Sequence, residues 1–216
     1  NGDGRVGFRL GEYDHLLPLV IDPEIGYTYT FADSSKDISI FGIAVDSTGA
    51  AYVAGRTRTE GSGGVLTVAA FVAKLNPEGT ALVYSTTISG SAGNEEARDI
   101  AVDATGNAFI TGFVFSSNFP TTAGAFQTTK GSPNGTQDAF VAKLAPGGDS
   151  FVYSSFLGGS GGTSGSRIAI DASGNAFVAG FTQSSNFPTT SPAQGTFGGV
   201  RDAFLTKVNA AGSAKT

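Results

Sequence analysis

Three stretches, AVDSTGAAYVAG (44–55), AVDATGNAFITG (101–112) and AIDASGNAFVAG (169–180), match almost residue for residue at spacings of 57 and 68. Repetition this close is the signature of a repeat architecture. Each copy reads as two short strands about a tight turn. In that turn the aspartate, Asp46, Asp103 or Asp171, can accept backbone N–H bonds as an Asx cap, and the following glycine supplies a positive φ that other residues resist.

Working outward, a second element recurs as AFVAKLNPEG (70–79), AFVAKLAPGG (139–148) and AFLTKVNAAG (203–212). In the first copy Phe71, Ala73 and Leu75 alternate with Val72 and Lys74, the two-residue period of a pleated strand. A third element, ALVYSTTISG (81–90) and SFVYSSFLGG (150–159), is rich in β-branched and aromatic residues that suit an extended backbone. EIGYTYTF (24–31) is its weaker earlier copy and aligns Tyr27 with Tyr84 and Tyr153. A fourth piece, SSNFPTT, stands at 116–122 and again at 184–190. No stretch carries a 3.6-residue apolar period over a dozen positions, so the helical crossovers of a parallel sheet are excluded. A parallel β-helix would need a shorter period and fewer turns.

The expected fold is therefore all-β, a β-propeller-type array of about three four-stranded antiparallel blades. The expected boundaries are the end of an upstream β-rich region (1–23), a partial repeat or blade 1 (24–57), blade 2 (70–114), blade 3 (139–182), and the first strand of a next blade or a closing strand (203–216). Three blades in a ring would sit about 120° apart, outside the usual range of about 4 to 8, and could not pack face to face. The array is thus expected to be an open fragment of a larger propeller with apolar faces at its ends. A start at Asn1 and the lack of any Met fit an internal piece of a longer chain.

Composition narrows the function classes. Charged residues make up 14% of the 216, against roughly 25% in an average domain, and the 32 glycines are about twice the ordinary share. A net charge of −5 with 13 Lys and Arg spread thinly leaves no basic stripe for phosphates, so nucleic acid is not an expected partner. No apolar run approaches eighteen residues, so no membrane-spanning helix is expected. With no Cys there are no disulfides, thiolate metal sites or cysteine nucleophiles, and one His, His15, leaves little room for histidine-based catalysis.

The motifs DAFVAKL (138–144), FVYSSFLGGS (151–160), IAVDATGNAFITG (100–112) and SSNFPTTAGAFQ (116–127) resemble the bacterial SBBP, or β-propeller, repeat proteins, and the resemblance covers nearly all of 24–209. The opening residues 1–23 resemble the end of the β-rich region that often precedes such repeats. The resemblance implies a large secreted or surface-attached bacterial protein with a propeller scaffold; it implies no reaction. Two departures stand out. Ala50 occupies the place of Asn107 and Asn175, and the GGSG turn reads GSAGNEE in one copy and GGSGGTSGS in the other.

Candidate chemistry is sparse. Asp46, Asp103 and Asp171 have oxygen ligands that suit Ca²⁺, but an Asx cap accounts for them without a metal, and no loop has the D-x-D-x-D-G density of a calcium loop. Glu95, Glu96 and Asp99 form the tightest acidic cluster, expected in a solvated loop, with Ca²⁺ binding as the alternative. Lys74, Lys143 and Lys207 recur where an aliphatic stem can cover apolar surface while the charge stays in water. His15 lies beside Asp14 and Tyr13, with no serine assigned to complete a triad. Phe119 and Phe187 in SSNFPTT are expected to plug the seams between blades; the alternative is an aromatic platform for sugars. The GGSGG at 158–162 precedes a strand, so it lacks the helix dipole of a phosphate loop. No catalytic, cofactor or metal residue is assigned and no cofactor is expected. The function expected is a non-enzymatic structural and interaction module, extracellular or on the cell surface, whose partners are its neighbouring blades and a protein or glycan ligand. The alternative is a carbohydrate-binding or polysaccharide-active propeller domain.

Overall fold

The computed structural model describes residues 26–61, 64–190 and 194–215. The expectations for 1–23, His15 included, lie outside the described residues. Among the described residues every regular element is a strand. β1 (Asp37–Val45), β2 (Ala51–Glu60), β3 (Leu66–Leu75) and β4 (Leu82–Ile88) form a first sheet; β5 (Glu95–Val102), β6 (Ala108–Val114), β7 (Asp138–Leu144) and β8 (Phe151–Leu157) a second; β9 (Thr163–Ile170), β10 (Ala176–Thr182) and β11 (Asp202–Val208) a third. All pairings are antiparallel between consecutive strands. The sheets are stacked in chain order, the first on the second and the second on the third, as an open array of propeller-like blades. No helix among the described residues is long and apolar enough to cross a membrane.

The blade boundaries differ from the repeat windows. A sheet begins with the AVD hairpin, takes the AFVAKL strand next and ends with the LVYST strand, so the window 70–114 holds two strands from each of two sheets. Consecutive antiparallel strands joined by tight turns pair with each other, and the β4–β5 and β8–β9 connections are where the chain changes sheet. β11 likewise neither opens a next blade nor closes onto the first sheet; it pairs with β10, Phe181 opposite Ala203 and Phe177 opposite Lys207.

All three sheets share one local irregularity. The first strand of every sheet bulges at Phe41, Arg98 or Ser166, and opposite it stands the last glycine of the repeated hairpin. A Cβ on Gly55, Gly112 or Gly180 would lie 1.8, 1.8 and 2.0 Å from a carbonyl oxygen of the first strand. That approach admits hydrogen only, and so it requires the glycine in every copy.

Stacking uses alternate residues of each strand. Tyr52, Val72 and Ile88 from the first sheet meet Ile110, Phe140 and Phe156 of the second. The other face of the second sheet, with Phe109, Val141, Tyr153 and Leu157, meets Ile168, Val178 and Val208 of the third. The first sheet's outer face carries Val53, Phe71 and Ala73 under Phe31 and Ile38.

One contact recurs at every seam. The glycine of the turn after the AFVAKL strand has positive φ, 66° at Gly79, 72° at Gly148 and 69° at Gly212, and the ring of an aligned tyrosine lies on it. A Cβ there would fall 2.1 Å from Tyr27, 2.3 Å from Tyr84 and 2.2 Å from Tyr153, respectively. The LVYST strand of one sheet thus docks its tyrosine on a turn of the next. Gly124 has a similar φ of 81° with open space around it. Gly124→Ala should therefore cost only the left-handed backbone penalty, about 1–2 kcal/mol, and Gly148→Ala about 1–3 kcal/mol more from displacing Tyr84. Urea unfolding of the two variants checks this, and equal losses would contradict the docking.

Candidate functional site

The recurring polar residues meet at the hairpin turns. Asp46 Oδ1 accepts from the Thr48 and Ala50 amides at 2.9 and 3.1 Å, and Asp103 Oδ1 from the Thr105 and Asn107 amides at 3.0 and 2.9 Å. Asp171 does the same with Ser173 and Asn175. The Asx cap expected from the motif is what forms.

Oδ2 of each aspartate faces the lysine of the AFVAKL strand: Lys74 at 3.4 Å, Lys143 at 3.2 Å and Lys207 at 3.7 Å. The same ammonium groups lie 4.7, 4.7 and 5.2 Å from the ring centres of Tyr52, Phe109 and Phe177. The lysine charges are therefore paired and set over an aromatic face, where the sequence reading had them free in water. Both residue types recur in all three copies, which was the available signal; their separations along the chain differ because the loop between them varies in length.

The Ala50 departure has a structural counterpart. Asn107 and Asn175 donate their side-chain amides to Asp103 and Asp171 Oδ2 at 2.8 and 2.7 Å. In the first sheet, where Ala50 has no amide, the Tyr52 hydroxyl donates to Asp46 Oδ2 at 3.1 Å, and the equivalent residues Phe109 and Phe177 carry no hydroxyl. Asn with Phe and Ala with Tyr are two ways to satisfy one carboxylate oxygen.

These contacts set the acidities. Burial opposes ionisation of Asp103, but hydrogen bonds from Thr105, Asn107 and Lys143 outweigh it and hold its pKa down at about 2. The Thr48 hydroxyl, with burial opposing it, holds Asp46 well below the carboxylate range, and Asn175 lowers Asp171.

Glu95, Glu96 and Asp99 are not in a solvated loop. They lie on β5, and because the strand bulges at Arg98 they take separate partners. Glu95 is fully buried and accepts from the Ser116 amide and hydroxyl; burial pushes its pKa up, with the Ser116 bonds opposing. Glu96 bridges Arg56 at 2.5 Å and Arg98 at 3.1 Å. Asp99 accepts from the Ile168 amide at 2.8 Å and ties the second sheet to the third. Among the described residues, no group of three or more His, Cys, Asp or Glu is placed to hold a metal ion.

The GGSGG amides are engaged by the following SSNFPTT loop. Ser160 and Gly161 N–H donate to Asn186 Oδ1 and Ser184 Oγ at 2.8 and 2.6 Å, as Ser91 and Ala92 do to Asn118 and Ser116. Two further charges anchor the loop before β7, half-buried Lys130 and fully buried Asp138, whose counterpart Asp202 likewise accepts from a loop glycine, the Gly198 amide at 2.7 Å. Lys130 donates to the carbonyls of Ser132, Pro133 and Thr136, and the Asp138 carboxylate accepts from the Gly131 amide at 2.6 Å. Burial lowers the Lys130 pKa and raises that of Asp138.

The two SSNFPTT loops differ in what lies beneath them. Phe119 is buried, 5.0 Å from Phe140 and 6.1 Å from Phe156 between ring centres, and plugs its seam as expected. Phe187 stacks on Phe204 at 4.7 Å and borders a groove of about 580 Å³ along the outer edge of β11, whose end is bridged by Lys215 opposite Val208. Thr190, Arg201 and Leu205 complete that groove.

With this geometry in place, residues 152–188 match the family model of SBBP, a beta-propeller repeat. The match runs from β8 through β9 and β10 into the second SSNFPTT loop, across the seam between the second and third sheets. The chain carries the propeller repeat that its motifs resemble. A comparison with curated proteins gives no match.

Tyr52→Phe should cost about 1 kcal/mol, and adding Ala50→Asn should restore most of it; denaturant unfolding checks this, and a silent Ala50→Asn would show the oxygen is not shared. For Asp103, whose folded pKa of about 2 lies below the unfolded value near 3.9, the ionised form stabilises the fold above about pH 4. That contribution disappears as pH falls through about 2. The stability gap between wild type and Asp103→Asn should be flat between about pH 5 and 7 and close below about pH 4.

Proposed function

We propose that the chain is a non-enzymatic structural and interaction module of a secreted or cell-surface bacterial protein. The observation that supports this reading is where the recurring polar chemistry goes. The three Asp–Lys pairs, the Asx caps and Asp99 hold strands, turns and sheets to one another, and Glu96 is matched by two arginines. Side chains used in this way build a rigid stack whose connecting loops are free to vary, the usual division of labour between scaffold and loop. The larger departures among copies sit in the loops, as the turn around Lys130 between β6 and β7 illustrates.

The carbohydrate reading rests on the groove beside Phe187. Its ring already stacks on Phe204, which leaves less aromatic surface for a sugar than an open platform has. A glycan array probed with wild type and Phe187→Ala tests the choice, together with incubation with polysaccharides. The module reading predicts neither Phe187-dependent retention nor chain cleavage; saccharide binding lost in Phe187→Ala would move the assignment to a lectin. Protease treatment of intact cells of the native host should remove the protein, and full protection would place it away from the surface.

A further inference from the structure

The three sheets differ in one internal connection. The loop between the second and third strands spans residues 61–65 in the first sheet, 115–137 in the second and 183–201 in the third. In the second sheet the extra length covers a strand edge. Residues 120–128, PTTAGAFQT, run as an extended strap along the outer side of β8. Thr122 N–H donates to the Ser154 carbonyl and Ser154 N–H to Thr122 Oγ1, both at 3.0 Å. Further along, Phe156 N–H donates to the Gln127 carbonyl at 3.0 Å and Gly158 N–H to Gln127 Oε1 at 3.2 Å. Beneath the strap Ser154, Ser155 and Phe156 are fully buried.

The first sheet has the same edge with no such cover among the described residues. Lys74 stands opposite Tyr84 as Lys143 stands opposite Tyr153, so Ser85, Thr86 and Thr87 take the places of Ser154, Ser155 and Phe156. Ser85 and Thr87 are exposed, and no described backbone group bonds to β4 from its outer side. LVYSTTI (82–88) also carries no charge and no proline, the devices that keep an edge strand from pairing. Beside it lies a groove of about 280 Å³, with Thr86, Thr87 and Ser89 on one wall and Pro120, Asp149 and Phe151 on the other. That groove continues the seam between the first and second sheets, and Pro120, where the strap begins, already lines it.

We infer that the outer edge of β4 docks an extended, uncharged segment of a partner protein, which lies along Ser85–Thr87 as residues 120–128 lie along β8. The chemistry of the occupant follows from the strap. It is held by main-chain amides and carbonyls together with one hydroxyl and one carboxamide, and it contains no charged residue. Proline suits its first position, where Pro120 offers only its carbonyl, to Ser154 Oγ at 2.7 Å. A segment added to a sheet edge in this way takes its affinity from the main chain. The inference rests on the interaction-module reading and fails apart from it: a β4 edge that binds nothing would leave the loops as the contact surface.

The test is amide-resolved NMR of the full chain titrated with the synthetic peptide PTTAGAFQT, residues 120–128. Shift changes on Leu82–Ser89 and the facing residues 148–151, and none on β8, are expected to saturate with a Kd below about 1 mM. Thr87→Pro removes the amide that corresponds to the Phe156 donor, at an edge position where proline is tolerated, and should weaken binding about tenfold. A peptide N-methylated at its Thr122 position, which loses the matching donor on the other side, should lose affinity similarly on the unaltered protein. That second arm decides the matter if Thr87→Pro does not keep wild-type circular dichroism. The inference is overturned if the peptide at about 1 mM shifts nothing on β4, or if N-methylation leaves binding unchanged. It is equally overturned if the Thr87 amide, before any peptide is added, is as protected from hydrogen exchange as that of Phe156, because the chain would then cover its own edge. A concentration-dependent wild-type dimer abolished by Thr87→Pro would also overturn it, by making a second copy the occupant.

Discussion

A tyrosine ring lying on a glycine of the neighbouring sheet sets the spacing of this structure. The glycine must be in the left-handed region to turn the chain and must lack a Cβ to admit the ring, so two independent demands fall on one position in each repeat. Once the ring is seated, the strand that carries it is fixed against the next sheet. At the seam between the first and second sheets the Thr86 hydroxyl adds a hydrogen bond to the Gly148 carbonyl at 2.5 Å, one residue pair along the same strand. The alternate residues then interdigitate as two apolar layers. Burial raises the pKa of the Tyr84 and Tyr153 hydroxyls, and nothing in the structure explains why tyrosine stands there in place of phenylalanine.

Around that contact, polar side chains do positional work. The Asp–Lys–aromatic cluster clips the hairpin turn to the third strand of its own sheet, and Asp99 reaches from one sheet to the next. Partial burial makes the Lys74–Asp46 and Lys143–Asp103 pairs more than ordinary surface salt bridges, yet each aspartate also accepts neutral hydrogen bonds that would hold part of the geometry without the charge. The repeat is thus stiffened at one end by charge and across its middle by packing, which leaves the loops between β6 and β7 and between β10 and β11 as the variable parts.

Much of the fold was legible in the sequence. The three hairpin copies specify strands and turns through their two-residue alternation and their Asp and Gly positions, and Tyr27, Tyr84 and Tyr153 align as the structure uses them. The phase of the repeat was not legible: motif order is cyclic along the chain, and only hydrogen bonding decides that a sheet starts at the AVD hairpin. The acidic run misled because charge density reads as solvent exposure, whereas the bulge at Arg98 and the arginines on two strands provide Glu95, Glu96 and Asp99 with separate partners. The Lys–Asp pairing was written in residues that recur together; the groove beside Phe187 was not, since its sequence copy around Phe119 has a strand in the same space.

If stacking stabilises the array, the middle sheet, covered on both faces, is its most protected part. Native-state hydrogen exchange measured residue by residue tests this directly. The account predicts that amides of β6 and β7 exchange only through global unfolding, while those of β1 and β11 exchange through local openings of lower free energy. Equal protection across the three sheets, or fastest exchange in β6, would contradict it.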